Sequence, residues 1–216
     1  MLRQSSVEFE LVNSNRDFQV IHEKHLPEVI KLQRPDYTQE EVQEILDKYL
    51  FEYHSIQLPY GLKTKGSPRD YSIFEGINFK SKTVLDVGCG YGSMSFYAEG
   101  KGAADIKGIE LKMHRYIGGI ILKNILGSIV KFEKINLFET DFSKKFDIVI
   151  LLNVIHHLPD PFFALRKLVE MSGDVFILEF PTLDDPKFKS TLISEQGSML
   201  NSIVFRIKNR IRSFSK

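Results

Sequence analysis

The sequence predicts an α/β protein with a doubly wound parallel sheet, and three observations support this fold class. From residue 82 onward, short apolar runs alternate with segments whose apolar residues recur at helical spacing. Residues 146–152 (FDIVILL) are almost entirely apolar, as expected for a strand that is buried on both faces. The first apolar run leads directly into three glycines at alternate positions, Gly88, Gly90 and Gly92. A sheet of this kind binds its ligand at the carboxyl ends of its strands.

The elements of this region follow one another in a β-α-β-α order. Strands are predicted over residues 83–87, 106–109, 129–135, 146–152 and 174–180, with residues 203–205 as one further strand. Helices are predicted over residues 94–98, 112–126 and 161–169. Gly100 and Gly102 end the first helix, and Pro161 lies in the first turn of the third.

The first 75 residues differ from the rest, because they are polar and interrupted by prolines. We therefore divide the chain into an N-terminal helical extension that acts as a substrate lid (residues 1–75) and a ligand-binding domain (residues 76–216). Thr38 and Glu41 form a capping-box pattern that predicts a helix to about Leu50. A weaker helix is predicted over residues 17–30, where Pro27 limits it.

Composition and charge exclude several classes of protein. The chain of 216 residues is 43% hydrophobic and 26% charged, which supports a folded core rather than disorder. A net charge of +1 does not indicate a nucleic-acid-binding surface, and the oligomeric state stays open. No segment has the ~20 apolar residues of a membrane span, and the first ten residues lack the apolar stretch of a signal peptide. With Cys89 as its one cysteine, the chain is expected to be cytoplasmic.

The glycine-rich turn and two acidic residues predict a nucleotide or nucleoside site. Asp86 precedes the glycines, and Glu110 follows the next strand, where an acid can accept two hydrogen bonds from a ribose. The dinucleotide pattern G-x-G-x-x-G requires a third glycine where this chain has Ser93. The G-x-G-x-G spacing favours a nucleoside cofactor without a pyrophosphate, with a nicotinamide-dependent enzyme as the distant alternative.

Four segments in this order resemble the motifs of class I S-adenosylmethionine-dependent methyltransferases, which have a Rossmann-like sheet. They are VLDVGCGYG, IKGIEL, FDIVILLNVIHHLPDP and DVFILEF, and the resemblance covers about residues 82–181. It implies that residues 76–216 are an S-adenosylmethionine-binding methyltransferase domain. The cofactor-binding residues that it implies are Asp86, Gly88, Cys89, Gly90, Gly92, Glu110, Asn136, Leu137 and Asn153.

The C-terminal region departs from the family pattern. The family core normally has seven strands, whereas only 36 residues follow Phe180 here. We expect either an abbreviated C-terminal edge of the sheet or a chain that is a fragment. The tail carries five cations and no acid from Arg206 onward. We interpret these cations as a solvated terminus, with phosphate binding as the alternative.

Candidate catalytic residues follow the fourth and fifth strands. His156 and His157 lie where reacting groups are expected, and histidine can take a hydroxyl proton near neutral pH. His157 is weakly preferred, and capping or packing is the alternative for both. Glu179 ends the fifth strand and is a further candidate, either as a base or for binding substrate.

Candidate substrate-binding residues precede the domain. Tyr60, Lys65 and Arg69 lie in a turn-rich, cationic loop that can bind an anionic substrate or the cofactor's carboxylate, with a solvated loop as the alternative. His22 and His25 lack the i, i+4 spacing of H-E-x-x-H, so no metal site is predicted.

These observations predict methyl transfer from S-adenosylmethionine to a small-molecule or glycan-like acceptor, at oxygen. The first alternative is a tRNA-modifying enzyme of the same fold, whose cationic loop and tail bind phosphates. The second is a methyltransferase-like subunit that binds its ligand without turnover. Balanced charge favours the small acceptor over RNA.

Overall fold

The computed structural model describes Ile21, Glu23–His25, residues 36–140 and 144–181, and the backbone of Phe205–Lys208. The strands in these ranges form one sheet in the order β3-β2-β1-β4-β5-β6. They are β1 (Thr83–Val87), β2 (Asp105–Glu110), β3 (Lys131–Lys134), β4 (Phe146–Leu152), β5 (Ser172–Glu179) and β6 (Phe205–Lys208). The first five are parallel, and β6 is antiparallel to β5. The strand order reverses between β1 and β4, which confirms the predicted doubly wound α/β fold.

The described residues contain four α-helices. They are α1 (Gln39–Lys48), α2 (Ser93–Gly100), α3 (Met113–Leu126) and α4 (Pro161–Met171). The last three connect successive parallel strands and lie close to their predicted positions. Pro161 is in the first turn of α4, where its missing N–H costs nothing, and the Asp160 carboxylate caps that turn by accepting the Phe163 N–H.

The β3 strand is shorter than the 129–135 prediction. The backbone N–H of Ile129 donates to the Glu99 carboxylate at 2.9 Å, at the end of α2, and the Ile129 side chain is exposed. The apolar residue therefore belongs to the connection before the strand, and pairing with β2 begins at Lys131.

Two further differences from the predicted elements lie near the chain ends. The strand predicted over residues 203–205 is observed at Phe205–Lys208, so the two overlap at one residue. The helix predicted over residues 17–30 lies mostly outside the described residues, and within it Glu23–His25 forms a short 3₁₀ turn. The cationic side chains of the tail also lie outside the described part of the chain.

The two faces of β4 explain its apolar run. Ile148 and Ile150 face the side of the sheet that is covered by α2, and Val149 and Leu151 face the side that is covered by α4. All four side chains are fully buried, because successive residues of a strand point to opposite faces. The strand is thus fixed on both sides, and its carboxyl end opens onto the same edge of the sheet as those of β1 and β2.

The segment before the sheet packs on α3. The capping box predicted for α1 is present: the Glu41 N–H donates to Thr38 Oγ1 at 3.3 Å, and the Thr38 N–H donates to Glu41 Oε2 at 2.9 Å. Buried side chains of this segment, Val42 and Phe51 among them, pack against α3. This packing brings the loop after α1 to the carboxyl edge of the sheet.

Candidate functional site

A cavity of about 480 Å³ opens at the carboxyl ends of β1, β2 and β4. This volume is within the ~300–1,000 Å³ that is typical of small-molecule sites. The cavity lies where the strand order reverses, as expected for a sheet of this type. Many of the residues singled out in the sequence line it: Arg69, Asp86, Gly88, Cys89, Gly90, Glu110, Asn136, Leu137, Asn153 and His157.

Five further candidates do not line the cavity, namely Tyr60, Lys65, Gly92, His156 and Glu179. Two of them lie elsewhere in the N-terminal loop. The Tyr60 hydroxyl donates to the Tyr37 carbonyl at 2.6 Å, and Lys65 lines a smaller depression beside α1. Both side chains are exposed, and of the three substrate candidates only Arg69 lines the cavity.

The second and third glycines of the turn, Gly90 and Gly92, have different roles. Gly90 has a φ of +58°, and a Cβ added there would meet nothing within 4 Å, so its Cα faces open space. Gly92 has a φ of +93°, and a Cβ there would lie 2.4 Å from the Phe132 ring. Gly90 therefore leaves room for a ligand, whereas Gly92 leaves room for an aromatic ring on β3.

Glu110 connects the glycine turn to the start of α3. Its Oε2 accepts the Gly90 N–H at 2.9 Å, and its Oε1 accepts the Lys112 N–H at 2.8 Å. The side chain is buried but lines the cavity. Each carboxylate oxygen has a second lone pair, so the group can still accept hydroxyl donors from a ligand.

Burial dominates the electrostatics of Asp86 and Cys89. Desolvation raises the pKa of Asp86 to about 7, against the lowering effect of the Ser95 hydroxyl, which donates to Asp86 Oδ2 at 2.6 Å; the Glu110 charge raises it further. Desolvation, with the charges of Asp86 and Glu110, also raises the pKa of the Cys89 thiol well above its usual value. The Cys89 thiol is therefore neutral, and the protonation of Asp86 can respond to a cationic ligand.

The Glu179 carboxylate, at the end of β5, contacts the side chains of Arg69 and Asn153. Its Oε2 pairs with the Arg69 guanidinium and accepts a hydrogen bond from Asn153 Nδ2 at 3.2 Å. Asn153 has a φ of +54°, and its N–H donates to the Glu179 carbonyl at 2.8 Å. Glu179 in this arrangement positions Arg69 and Asn153.

The two histidines are in contact, but only His157 lines the cavity. Their ring centroids are 3.9 Å apart, in the 3₁₀ turn Ile155–His157 after β4. Desolvation and the neighbouring His157 lower the pKa of His156. His157 is therefore the better placed of the two for proton transfer.

Asn136 lines the cavity, and its side-chain amide already forms two hydrogen bonds within the protein. Its Oδ1 accepts the Phe138 N–H at 3.1 Å, and its Nδ2 donates to Glu139 at 2.8 Å. The amide shapes the turn after β3 and, with it, presents Leu137 to the cavity. The adjacent Leu137 is buried in the core cluster beside α4.

Sequence reasoning missed two cations of the cavity wall. Lys112 and Arg115 line the cavity two and five residues after Glu110. The Arg115 guanidinium lies 5.4 Å from the centre of the Tyr53 ring, which is half exposed and has a φ of +90°. A signal was present, since both cations lie within five residues of the acid that ends β2.

The described residues include neither a metal-binding cluster nor a membrane-spanning helix. Among them, no group of three or more histidine, cysteine or acidic side chains is arranged to hold a metal ion. In the same part of the chain, no helix combines the length and the apolar character that crossing a bilayer requires.

The chain belongs to a methyltransferase family. Residues 66–209 match the family described as methyltransferase domain, which is well over half of the chain. This match confirms the resemblance to class I S-adenosylmethionine-dependent methyltransferases that the sequence motifs indicated. It begins ten residues before the boundary predicted at residue 76, and the division into two domains remains a proposal.

Curated relatives carry two kinds of name. The chain is 29% identical over 105 residues to a tRNA U34 carboxymethyltransferase of Campylobacter hominis, covering 47% of this chain and 37% of that protein. It is 30% identical over 117 residues to a ubiquinone biosynthesis O-methyltransferase of Pseudomonas fluorescens, covering 48% and 47%. The chain thus spans less than half the length of these relatives.

Solved structures with similar folds include methyltransferases. Magnesium protoporphyrin IX methyltransferase from Synechocystis, with bound SAM, has a TM-score of 0.45 at 23% identity, covering 51% of this chain and 55% of that chain. An S-adenosylmethionine-dependent methyltransferase from Mesorhizobium loti has a TM-score of 0.43 at 18% identity, covering 48% of each.

Proposed function

We propose that this chain transfers a methyl group from S-adenosylmethionine to a small-molecule or glycan-like acceptor, at an oxygen atom. The observation that carries the proposal is the meeting of Asp86, Gly90 and Glu110 at one cavity, at the reversal of the strand order. These residues fit a nucleoside cofactor with a cationic end, because two acids flank a glycine whose Cα faces open space.

Each residue has a distinct role in this proposal. Glu110 accepts hydrogen bonds from the ribose hydroxyls, and Asp86 attracts the amino group of the methionine part. S-adenosylmethionine, when bound, supplies an activated methyl group on a sulfonium. His157 takes the proton of the acceptor hydroxyl, while Asn153 lines the wall between cofactor and acceptor. Because such a transfer is an in-line displacement, orientation of the two reactants alone can contribute ~7–11 kcal/mol.

Calorimetric titration with S-adenosylhomocysteine, run beside NAD, tests the cofactor assignment. We expect micromolar binding of S-adenosylhomocysteine and none of NAD. Binding of NAD alone, or of neither ligand, would contradict the proposal. After the first result, turnover is assayed by the release of S-adenosylhomocysteine in the presence of small hydroxylated acceptors.

A tRNA acceptor is the second candidate, since Lys112, Arg115 and the exposed Tyr53 ring lie together at the cavity. Cations together with exposed aromatic rings are what single-stranded RNA binds. An RNA-binding protein would show an affinity for a tRNA pool that falls steeply with salt, in proportion to the phosphates contacted. We expect only weak tRNA binding, because charge is balanced over the whole chain.

A further inference from the structure

The turn that follows β3 (residues 136–140, the β3 turn) forms part of the cavity wall. Asn136, Leu137 and Phe138 line the cavity. The N–H groups of Phe138 and Glu139 both donate to Asn136, one to its side-chain Oδ1 and the other to its carbonyl, each at 3.1 Å. These contacts close the turn on itself, so its position relative to the sheet is fixed by other parts of the chain.

Lys167 of α4 connects the β3 turn to that helix. Its ammonium group donates to the Leu137 carbonyl at 3.1 Å and also to the Thr140 carbonyl. Neither carbonyl belongs to a strand or a helix, so each needs a donor from elsewhere. A charged donor forms stronger hydrogen bonds than a neutral one. One half-buried cation therefore holds the turn both near its start and at its end.

A pair of aromatic rings makes a second contact between α4 and the β3 turn. The rings of Phe138 and Phe163 stack with centroids 5.7 Å apart and an interplanar angle of 22°. The Lys167 Nζ lies 5.8 Å from the centre of the Phe163 ring. Lys167 does not itself line the cavity, so any effect that it has on a ligand is transmitted by the turn.

The β3 turn has the features that recognise the base of a nucleoside. Leu111 follows the neighbouring strand β2, is 58% exposed and lines the same cavity, so a flat base can lie between apolar side chains. The Asn136 Oδ1 accepts the Phe138 N–H with one lone pair, and its second lone pair can accept an amino group. An oxygen in this place distinguishes an amino group from a carbonyl on the base.

We propose that Lys167 is a positioning residue for the base of the cofactor. It holds the β3 turn so that Asn136 Oδ1 faces the amino group of the adenine, and it touches neither the cofactor nor the acceptor. The inference rests on the proposed function and adds to it the residue that sets the selectivity for the base.

The test compares two ligands that differ only in the purine. S-inosylhomocysteine carries a carbonyl where S-adenosylhomocysteine carries the amino group. Calorimetry gives the affinity of each ligand for the unaltered protein, for Lys167→Met and for Lys167→Arg, after urea denaturation has shown that each variant folds. Arg166→Met is the matched control, because Arg166 is the exposed neighbour of Lys167 on α4 and loses the same charge.

We expect the unaltered protein to prefer S-adenosylhomocysteine by about tenfold or more, because a carbonyl on the base leaves the Asn136 oxygen without a donor. Lys167→Met should lose most of this preference. Lys167→Arg should retain most of it, because arginine keeps charged donors for both carbonyls, and Arg166→Met should retain all of it. A general loosening of the fold lowers both affinities by the same factor, so the ratio of the two reports the position of the turn.

Lys167→Gln provides a milder change in case Lys167→Met does not fold. Its amide can donate to the two carbonyls only without charge, so the preference should lie between those of the unaltered protein and of Lys167→Met.

Three results would overturn the inference. The first is an unaltered protein that binds both ligands equally well. The second is a ratio of affinities that stays unchanged in Lys167→Met or, where that variant does not fold, in Lys167→Gln. The third is a Lys167→Arg variant as unselective as Lys167→Met, which would assign the loss to packing rather than to the hydrogen bonds. Failure of S-adenosylhomocysteine to bind the unaltered protein would instead contradict the proposed function itself.

Discussion

Both carboxylate oxygens of Glu110 hold backbone N–H groups, one in the glycine turn and one at the start of α3. The residue therefore shapes the site in addition to the ribose contact proposed for it. A single side chain that both forms a cavity wall and binds the ligand is a sensitive position for substitution, because a change removes both effects together.

Replacing Glu110 by alanine should weaken the binding of S-adenosylhomocysteine about tenfold or more. The expected loss follows from charge-assisted hydrogen bonds, which contribute ~1.5–3 kcal/mol each. Isothermal calorimetry measures the change, and Glu75→Ala, at an exposed carboxylate away from the cavity, is the matched control. Unchanged affinity would remove Glu110 from the cofactor site.

The raised pKa of Asp86 predicts pH-dependent ligand binding. Asp86 is half protonated near pH 7 in the ligand-free protein, and only its charged form attracts an ammonium group. The affinity for S-adenosylhomocysteine should therefore be highest near pH 8 and fall as the pH decreases through 7, by up to about tenfold per pH unit. Ser95→Ala removes a hydrogen bond that lowers the pKa of Asp86. The pH at which the affinity of this variant begins to fall should therefore be higher than in the unaltered protein. A flat profile between pH 8 and 6 would contradict the contact.

The same pKa has a consequence for stability, with its sign fixed by linkage. The carboxyl binds its proton more tightly when folded than the ordinary value of 3.8 allows, so the folded state holds more protons between about pH 4 and 7. The contribution of Asp86 to the free energy of unfolding is therefore largest below about pH 4, and it decreases as the pH rises from about 4 to 7. Asp86→Asn should flatten this part of the pH–stability profile in urea titrations of the ligand-free protein.

His157 and His156 provide a matched pair for testing the base. His157→Ala should lower turnover about 10²-fold, the lower end of what general bases contribute, while cofactor affinity changes less than about twofold, since the proposed role is with the acceptor. His156→Ala should have a smaller effect, because His156 packs on His157 and does not line the cavity. Equal turnover of His157→Ala and the unaltered protein would assign this histidine to packing.

At the scale of elements, substitutions at two glycines of the same turn should affect different properties, ligand binding at Gly90 and stability at Gly92. Gly90→Val should abolish S-adenosylhomocysteine binding, because the new side chain enters the open space beside the cavity. The positive φ of Gly90 also costs about 1–3 kcal/mol of stability, and circular dichroism should show that the variant still folds. Gly92→Ala should instead destabilise the fold by at least about 1 kcal/mol, since its Cβ would collide with Phe132 and the φ is positive. Chemical denaturation and calorimetry together distinguish the two. Retained binding in Gly90→Val would contradict the argument that a ligand approaches this backbone.

The strands and helices of the sheet were predictable because their signals are local. The four buried residues of β4 and the Thr38 capping box follow from periodicity and spacing within a few residues. The start of β3 was not predictable, because a distant acid, Glu99, holds Ile129 outside the strand.

In the site, too, features with a local sequence signal were predicted, and contacts between distant residues were not. Residues directly at strand ends, such as Asp86 and Glu110, were found because the topology fixes where strand ends lie. The pairing of Arg69 with Glu179 joins positions 110 residues apart, which no local pattern encodes. Gly92 matched the motif, but its role in packing depends on a ring that another strand supplies.

At the scale of the whole molecule, the N-terminal segment and the sheet share one core. Phe51 is 2% exposed, and its ring meets Tyr91 of the glycine turn edge-on, with centroids 5.6 Å apart. Tyr91 in turn packs against Gly118 of α3, where an added Cβ would lie 2.6 Å from its ring. The extension, the turn and the helix are therefore in continuous contact beside the cavity.

This contact predicts that the extension and the sheet unfold together, even though we propose them as separate regions of the chain. Phe51→Ala should lower the free energy of unfolding by about 3–5 kcal/mol, as for other buried phenylalanines, within a single transition. Unfolding is followed in urea by far-ultraviolet circular dichroism and by tyrosine fluorescence, whose midpoints should coincide because Tyr91 belongs to the shared core. Since the same ring supports the turn, S-adenosylhomocysteine binding should weaken as well. Two separate transitions, with binding intact after the first, would show instead that the extension is an independent unit and that Phe51 stabilises it alone.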